Sequence, residues 1–259
     1  MNVAEAPRAT AIPRVETTTV DGVETWYEPV VLTAEMLGER SAAHATLTAV
    51  LDHYKRLSPD DYTQTLERFF TKGLAAFGAA WRYSDIVTML HAATAMIRPT
   101  SYLEIGVRRG RSMSVVASGS PACAILGFDN WKPGYAGMDN PGPEFVREEM
   151  KRIGHTGTIE LIKGNSHETV PAYLKTHPHA WFDLITVDGD HSPQGAADDL
   201  DTVLARLKVG GALVFDDICH PKHMELAEVW RRTVGDTTRF SVWNYTSLGY
   251  GIGVAVRKR

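Results

Sequence analysis

Cysteine is scarce in this chain: Cys123 and Cys219 are its two thiols in 259 residues, too few for a disulfide framework. We therefore expect reduced thiols and a cytoplasmic protein. Long apolar runs are missing too, none approaching the roughly 20 residues that cross a bilayer. Residues 1–14 have neither the charged start nor the apolar stretch of a secretory signal, so no membrane partner is expected. Positive charge is not in surplus. Lys and Arg total 27 against 31 Asp and Glu, a net charge of -4, and no basic footprint for nucleic acid follows from that. Repeats and low-complexity tracts are absent. What is present is a 44% hydrophobic, 22% charged chain, enough for one large domain or one domain with an appendage.

The pattern divides near residue 80. Residues 1–25 carry Pro7, Pro13 and several threonines without helical period, and read as an extended arm, mobile or packed on a neighbouring subunit. Residues 33–77 turn helical, with Leu47, Val50, Leu51 and Tyr54 on one face; Ser58 and Pro59 look like the start of a further helix. This segment, residues 1–80, is expected to be a helical cap or the contact of a homo-oligomer. After a helix over 84–97, strands and helices alternate. Strands are predicted at Ser101–Ile105, Ala124–Asp129, Ile159–Lys163, Phe182–Val187 and 211–215. Helices are predicted at 111–117, 145–153, 170–176, 195–207 and 222–234. Such alternation means a parallel sheet covered on both faces, an α/β Rossmann-like doubly wound fold over residues 81–259. The last two strands, 239–243 and 251–256, have no helix between them and would form an antiparallel C-terminal edge.

Two apolar runs end in acid. Phe182–Val187 is followed by Asp188-Gly-Asp190-His191, and residues 210–215 by Asp216-Asp217. Carboxylates gathered at one strand end repel unless a cation lies among them, and hard oxygens suit Mg²⁺, Mn²⁺ or Ca²⁺ rather than a soft metal. His191 stands where a base can work beside such an ion. Asp216 and Asp217 can serve one ion only if the chain turns between them, because successive strand residues face opposite ways.

The first strand–helix junction reads Glu104-Ile-Gly106-Val107-Arg-Arg-Gly110-Arg-Ser112, and the second strand ends at Asp129. Glycine in such a turn admits a nucleotide-type cofactor, and an acid about 20 residues on suits ribose hydroxyls. Arg108 stands where a dinucleotide fingerprint would have glycine, and Glu104 would sit poorly with a diphosphate. A cationic, amine-bearing cofactor, S-adenosylmethionine, fits better, with Glu104 expected to face its methionine part.

These motifs together resemble the class I S-adenosylmethionine-dependent methyltransferases, and more narrowly the metal-dependent O-methyltransferases of the macrocin and mycinamicin type, which modify antibiotic sugars. The resemblance covers about residues 81–259 and departs at Arg108. It implies Asp188, Asp216 and Asp217 as metal ligands and His191 as general base. It places Glu104, Gly106, Val107, Gly110, Ser112, Asp129 and Asp188 at the cofactor, with Ser166 against the adenine and Asp190 behind the ligands. The implied reaction is methyl transfer to a hydroxyl of a deoxysugar, nucleotide-linked or on a natural product.

The chemistry agrees: a bound cation favours the alkoxide, His191 accepts the proton, and the sulfonium methyl meets the oxygen in line. The loop 130–144, rich in glycine and proline, is expected to act as a lid, with Trp131 and Tyr135 stacking on the acceptor. Arg82 is a candidate for an acceptor phosphate, and His220 and His223 for the acceptor wall. An NAD-linked oxidoreductase, a catalytically dead binding protein and another tailoring enzyme such as a hydroxylase are the competing readings. The missing glycine and the intact acid set argue against the first two.

Overall fold

The computed structural model describes residues 17–20, 23–26 and 30–259. The greater part of the N-terminal arm, residues 1–16, lies outside the described residues. Within the arm, β1 (Thr17–Val20) and β2 (Val23–Trp26) pair antiparallel as a hairpin. Three helices follow: α1 (Ala34–Ser41), α2 (His44–Tyr54) and α3 (Asp61–Phe77). Helix α3 begins later than its Ser58–Pro59 signal. The Asp60 carboxylate caps it by accepting from the Thr63 amide at 2.6 Å, as N-cap acids do. Ser58 is occupied elsewhere, its amide donating to Glu149 Oε2 at 2.9 Å. Helix α4 (Ile86–Ile97) starts with a capping box between Asp85 and Thr88. It ends at Arg98 in the left-handed region, just before Pro99.

The remaining elements alternate as their composition requires: β3 (Ser101–Ile105), α5 (Arg111–Gly119), β4 (Ala124–Asp129), α6 (Pro143–Arg152), β5 (Ile159–Lys163), α7 (Ser166–Thr176), β6 (Phe182–Val187), α8 (Pro193–Leu204), β7 (Leu207–Asp216), α9 (Leu226–Val234), β8 (Phe240–Tyr245) and β9 (Ile252–Arg257). They build one seven-stranded sheet in the order β5-β4-β3-β6-β7-β9-β8. The pairs from β5 to β7 are parallel, and β9 runs antiparallel to both β7 and β8. The expected fold class and antiparallel edge are both observed.

Strand alternation splits the core in two. Tyr102, Ile125, Leu184, Val214 and Val254 face one way and pack with residues of α1, α2, α4 and α5. Leu103, Ile105, Phe128, Ile185, Val187, Leu213 and Phe215 face the other way, toward α7, α8 and α9. The chain reverses its winding between β3 and β6, where the backbone is stitched by the Asp188 amide donating to the Ile105 carbonyl at 2.8 Å. Open sheets of this kind bind ligands at the strand carboxyl ends beside that reversal. Gly106, Asp129, Asp188 and Asp216 all lie there.

Candidate active site

Gly106 follows β3 directly, with φ of 93°, and an added Cβ would lie 1.8 Å from the Asp188 carbonyl oxygen. Only glycine lets the ends of β3 and β6 approach this closely. Two cavities meet at that point. The first, of about 290 Å³, is lined by Gly106, Asp129, Asn130, Asn165, Ser166 and Gly189, among others. The second, of about 480 Å³, runs from Tyr54, Tyr62, Tyr83, Asp85 and Ser112 to Asp216, Asp217, His220 and Tyr250. Gly106, Arg108, Tyr135, Asp188 and His191 belong to both walls.

The acids assemble at this junction. Among the described residues, Asp188, His191 and Asp217 form a group whose potential ligand atoms all lie within 4.8 Å of one another. His191 Nε2 is 3.3 Å from Asp188 Oδ1 and 3.7 Å from Asp217 Oδ2. The turn that two successive acids require is present. Strand β7 ends at Asp216, and Asp217 adopts φ of 64°, a left-handed conformation that aspartate tolerates better than most residues. That turn carries the Asp217 carboxylate toward Asp188. Asp216 lines the same cavity, but its oxygens fall outside the three-residue group. Of the expected Asp188, Asp216 and Asp217 set, the structure gathers the first and last, with His191 in third place.

Charge repulsion is visible in the site. The Asp217 carboxyl is pushed up to about 6 by burial and by the neighbouring Asp188 charge. The Asp216 carboxyl goes well above the usual carboxylate range for the same reasons. His191 moves upward, chiefly through its hydrogen bond to Asp188. Two carboxylates and an imidazole converging on one point form a donor set for a hard divalent cation, which would relieve that repulsion.

Asp129 sits at the end of β4 and holds the loop over the first cavity. Its Oδ2 accepts from the Arg108 amide at 2.7 Å, and its Oδ1 accepts from the Trp131 amide. A carboxylate has further lone pairs, so both oxygens retain capacity for ligand hydroxyls. Ser166 opens α7 on the opposite wall. Asp190 also lines this cavity, and its Oδ1 accepts from the Ser192 amide at 2.8 Å.

Glu104 is a correction. Alternation along β3 turns it to the Tyr102 face, where it is fully buried and lines neither cavity. Its Oε1 accepts from the Ser112 hydroxyl, and the Tyr102 hydroxyl lies 3.1 Å from Oε2. Burial pushes its carboxyl up to about 8. It therefore sits behind the second cavity, touching its wall through Ser112. Gly110 also lines neither cavity; at φ of 74° it caps α5, and a Cβ there would run into Val146 and Met150. Val107 and Ser112 do line the second cavity.

The expected acceptor residues separate in the same manner. Trp131 is buried and donates from Nε1 to the Arg108 carbonyl at 2.8 Å, so it anchors the loop and is not free to stack. Tyr135 is exposed at the junction of the cavities. Arg82 is exposed and donates to the Glu39 carbonyl; its neighbour Tyr83 is the one that reaches the cavity. His220 and His223 are in the wall as expected. Tyr62, Asp85 and Tyr250 were missed. Tyr62 comes from α3, Asp85 from the cap of α4 and Tyr250 from the β8–β9 loop, and no local motif assigns them to a site.

Comparison with known proteins bears on this geometry. A family model described as a methyltransferase domain matches residues 103–218. A curated relative, the uncharacterized protein R132 of Acanthamoeba polyphaga mimivirus, is 28% identical over 118 residues, or 45% of this chain. The match spans about half, 51%, of that relative's length. Solved structures of similar fold include the Podospora anserina methyltransferase PaMTH1 bound to S-adenosylhomocysteine, 18% identical with a TM-score of 0.53, covering 83% of this chain and 88% of that one. The O-methyltransferase TomG of Streptomyces achromogenes, in complex with S-adenosylmethionine, is 16% identical with a TM-score of 0.55, covering 78% and 92%. The TDP-rhamnose 3'-O-methyltransferase CalS11 of calicheamicin biosynthesis is 22% identical with a TM-score of 0.52, covering 83% and 92%. At these identities the likeness is one of fold. The family-model match covers residues 103–218, less than half of the chain, and among the described residues no helix is long and apolar enough to cross a membrane.

Proposed function

We propose that the methyltransferase domain moves the methyl group of S-adenosylmethionine to a hydroxyl of a sugar-like diol, assisted by Mg²⁺ or Mn²⁺. The observation that carries this reading is the meeting of two cavities at Asp188, His191 and Asp217. One cavity offers Asp129 for ribose hydroxyls and Ser166 for the adenine. The other is lined with tyrosines and histidines and has room for an acceptor. Asp188 and Asp217 would hold the cation, which supplies charge compensation for a developing alkoxide. Asp216 stands beside them without contributing to the converging set.

The chain's own groups account for the proton and the alignment. Nε2 donates to the Asp188 carboxylate, so the free nitrogen of the His191 imidazole accepts the hydroxyl proton, and the imidazolium that results is held by the carboxylates of Asp188 and Asp217. Because Nε2 is engaged with the acids, His191 serves in this reading as the base and not as a third ligand of the cation. Gly106 permits the close approach of Asp188 to the cofactor loop, and Tyr135 reaches both cavities from the loop that Trp131 anchors. Fixing two reactants across this junction supplies much of the remaining acceleration. A deoxysugar acceptor, a role in antibiotic biosynthesis, a homo-oligomeric state and a cytoplasmic location extend the reading beyond the site itself. CalS11, whose described substrate is a nucleotide-linked deoxysugar, shares the fold and supports the acceptor class.

The test is methyl transfer from labelled S-adenosylmethionine to a panel of deoxysugar and catechol diols, with and without chelator. Transfer that stops on chelation and returns with Mg²⁺ or Mn²⁺ is expected. Undiminished transfer after verified metal removal would exclude the cation.

A further inference from the structure

Arg108 differs from the arginines beside it. Arg109 and Arg111 each hold Asp60, at 2.7 and 3.2 Å. Among the described residues, no carboxylate forms an ion pair with the Arg108 guanidinium. Its side chain contacts Met138 Sδ at 3.3 Å, a weak acceptor, and its Cζ lies 5.8 Å from the centre of the Tyr135 ring. Half-buried, it stands at the junction of both cavities.

Its backbone is held there at a cost. Arg108 adopts φ of 52°, a conformation that long side chains rarely take. Two hydrogen bonds fix it, the amide to Asp129 and the carbonyl from Trp131 Nε1. Asp217 lies near enough for its charge to be felt but closes no ion pair with Arg108, and a residue strained and clamped in this way with its guanidinium donors unpaired by any carboxylate points to a ligand. A second cationic group lines the second cavity, Lys222, which makes no ion pair among the described residues; His220 and His223, with rings 4.8 Å apart, add imidazole nitrogens beside it. The cofactor's sulfonium would repel Arg108, and its methionine carboxylate is the competing anion that the malonate and S-adenosylhomocysteine arms of the titration separate from a phosphate on the other reactant. Asp85, Asp188, Asp216 and Asp217 share this wall, so an anion can be held only by Arg108 and Lys222, the two cations without an ion pair, and a guanidinium matches phosphate oxygens in pairs.

We infer that Arg108 binds a phosphate group on the acceptor, which makes the preferred substrate a phosphorylated or nucleotide-linked sugar and not a neutral glycoside. The inference rests on the assignment of the second cavity to the acceptor in the proposed function. Arg108 takes the place that the sequence suggested for Arg82.

The experiment titrates the full-length protein with inorganic pyrophosphate in chelator, with and without saturating S-adenosylhomocysteine, and with malonate as the carboxylate probe. Wild type is expected to bind pyrophosphate more tightly than malonate. Arg108→Gln is expected to weaken pyrophosphate about tenfold or more, the size of a lost charge-assisted contact, and Arg108→Lys less. Affinity for S-adenosylhomocysteine should stay within threefold. Arg108→Gly removes the side chain while relieving the positive φ, so it tests the same loss in a variant with no added strain. Three results overturn the inference: pyrophosphate binding that survives in Arg108→Gln and Arg108→Gly, wild-type binding of malonate alone, or loss confined to S-adenosylhomocysteine, which would make Arg108 a cofactor contact. Wild type that binds pyrophosphate through Arg108 but no S-adenosylhomocysteine would sink the methyltransferase reading and leave the phosphate site standing.

Discussion

Removing a functional carboxylate should stabilise this protein, and Asp217 is the place to measure it. Its side chain is 12% exposed, and its carboxyl is raised from 3.8 to about 6 in the folded state. A raised carboxyl means that folding penalises the charged form. The penalty is absent below about pH 4, grows between the two values, and is complete above about pH 6. A difference of about two pKa units corresponds to about 3 kcal/mol, an upper bound because Asp188 carries part of the repulsion. Asp217→Asn keeps the shape and tolerates the positive φ. In chelator at pH 8 it should gain about 1–3 kcal/mol, and each kcal/mol is worth roughly 2–4 °C in Tm for a chain of this size. At pH 4 the gain should vanish. Adding Mn²⁺ at pH 8 should raise the Tm of wild type and leave the variant nearly unmoved. Circular dichroism melts of both proteins at the two pH values are sufficient. A variant that melts below wild type at pH 8 in chelator would show that Asp217 is satisfied in the apo site and that the repulsion argument is wrong.

Three other substitutions divide the roles. His191→Ala should retain cation and cofactor binding while losing roughly 10²–10⁴ in turnover, with the defect shrinking as pH rises; loss of the cation instead would make His191 a ligand. Asp188→Asn should weaken Mn²⁺ binding and recover part of its activity at high Mn²⁺, measured by methyl transfer across a metal titration; activity indifferent to metal concentration would count against a ligand role. Gly106→Ala combines a positive φ with a Cβ 1.8 Å from the Asp188 carbonyl. The left-handed conformation alone costs about 1–2 kcal/mol, so the melt should fall by several degrees and the cofactor should bind poorly; a wild-type melt would mean that the ends of β3 and β6 separate easily.

The parallel strands were legible because both their faces are buried, which leaves apolar runs bounded by glycine and acid; Ser101–Ile105 and Phe182–Val187 are as read. Strand β7 starts at Leu207 and not at residue 211, because a register shift against β6 absorbs the Gly210–Gly211 pair that reads as a turn. Helix α9 begins at Leu226, since residues 220–225 form turns in which the His223 amide donates to the His220 carbonyl. In the site, the acids and His191 announce themselves through their position after strands. Glu104 misled because a motif does not say which face of β3 a residue takes, whereas alternation with Tyr102 does. Tyr62, Tyr83 and Tyr250 are brought to the acceptor cavity by packing of the cap helices and the β8–β9 loop, a tertiary effect with no local signal.

The cofactor decides the matter most directly. Calorimetric titration of the purified protein with S-adenosylhomocysteine and with NADH, repeated on Asp129→Ala, tests whether the cavity beneath Asp129 is a methyl donor's site. Saturable binding of S-adenosylhomocysteine, weakened at least tenfold in Asp129→Ala and with no heat from NADH, is the expected result. Binding of NADH alone, or S-adenosylhomocysteine binding unaffected by loss of the Asp129 carboxylate, would contradict it.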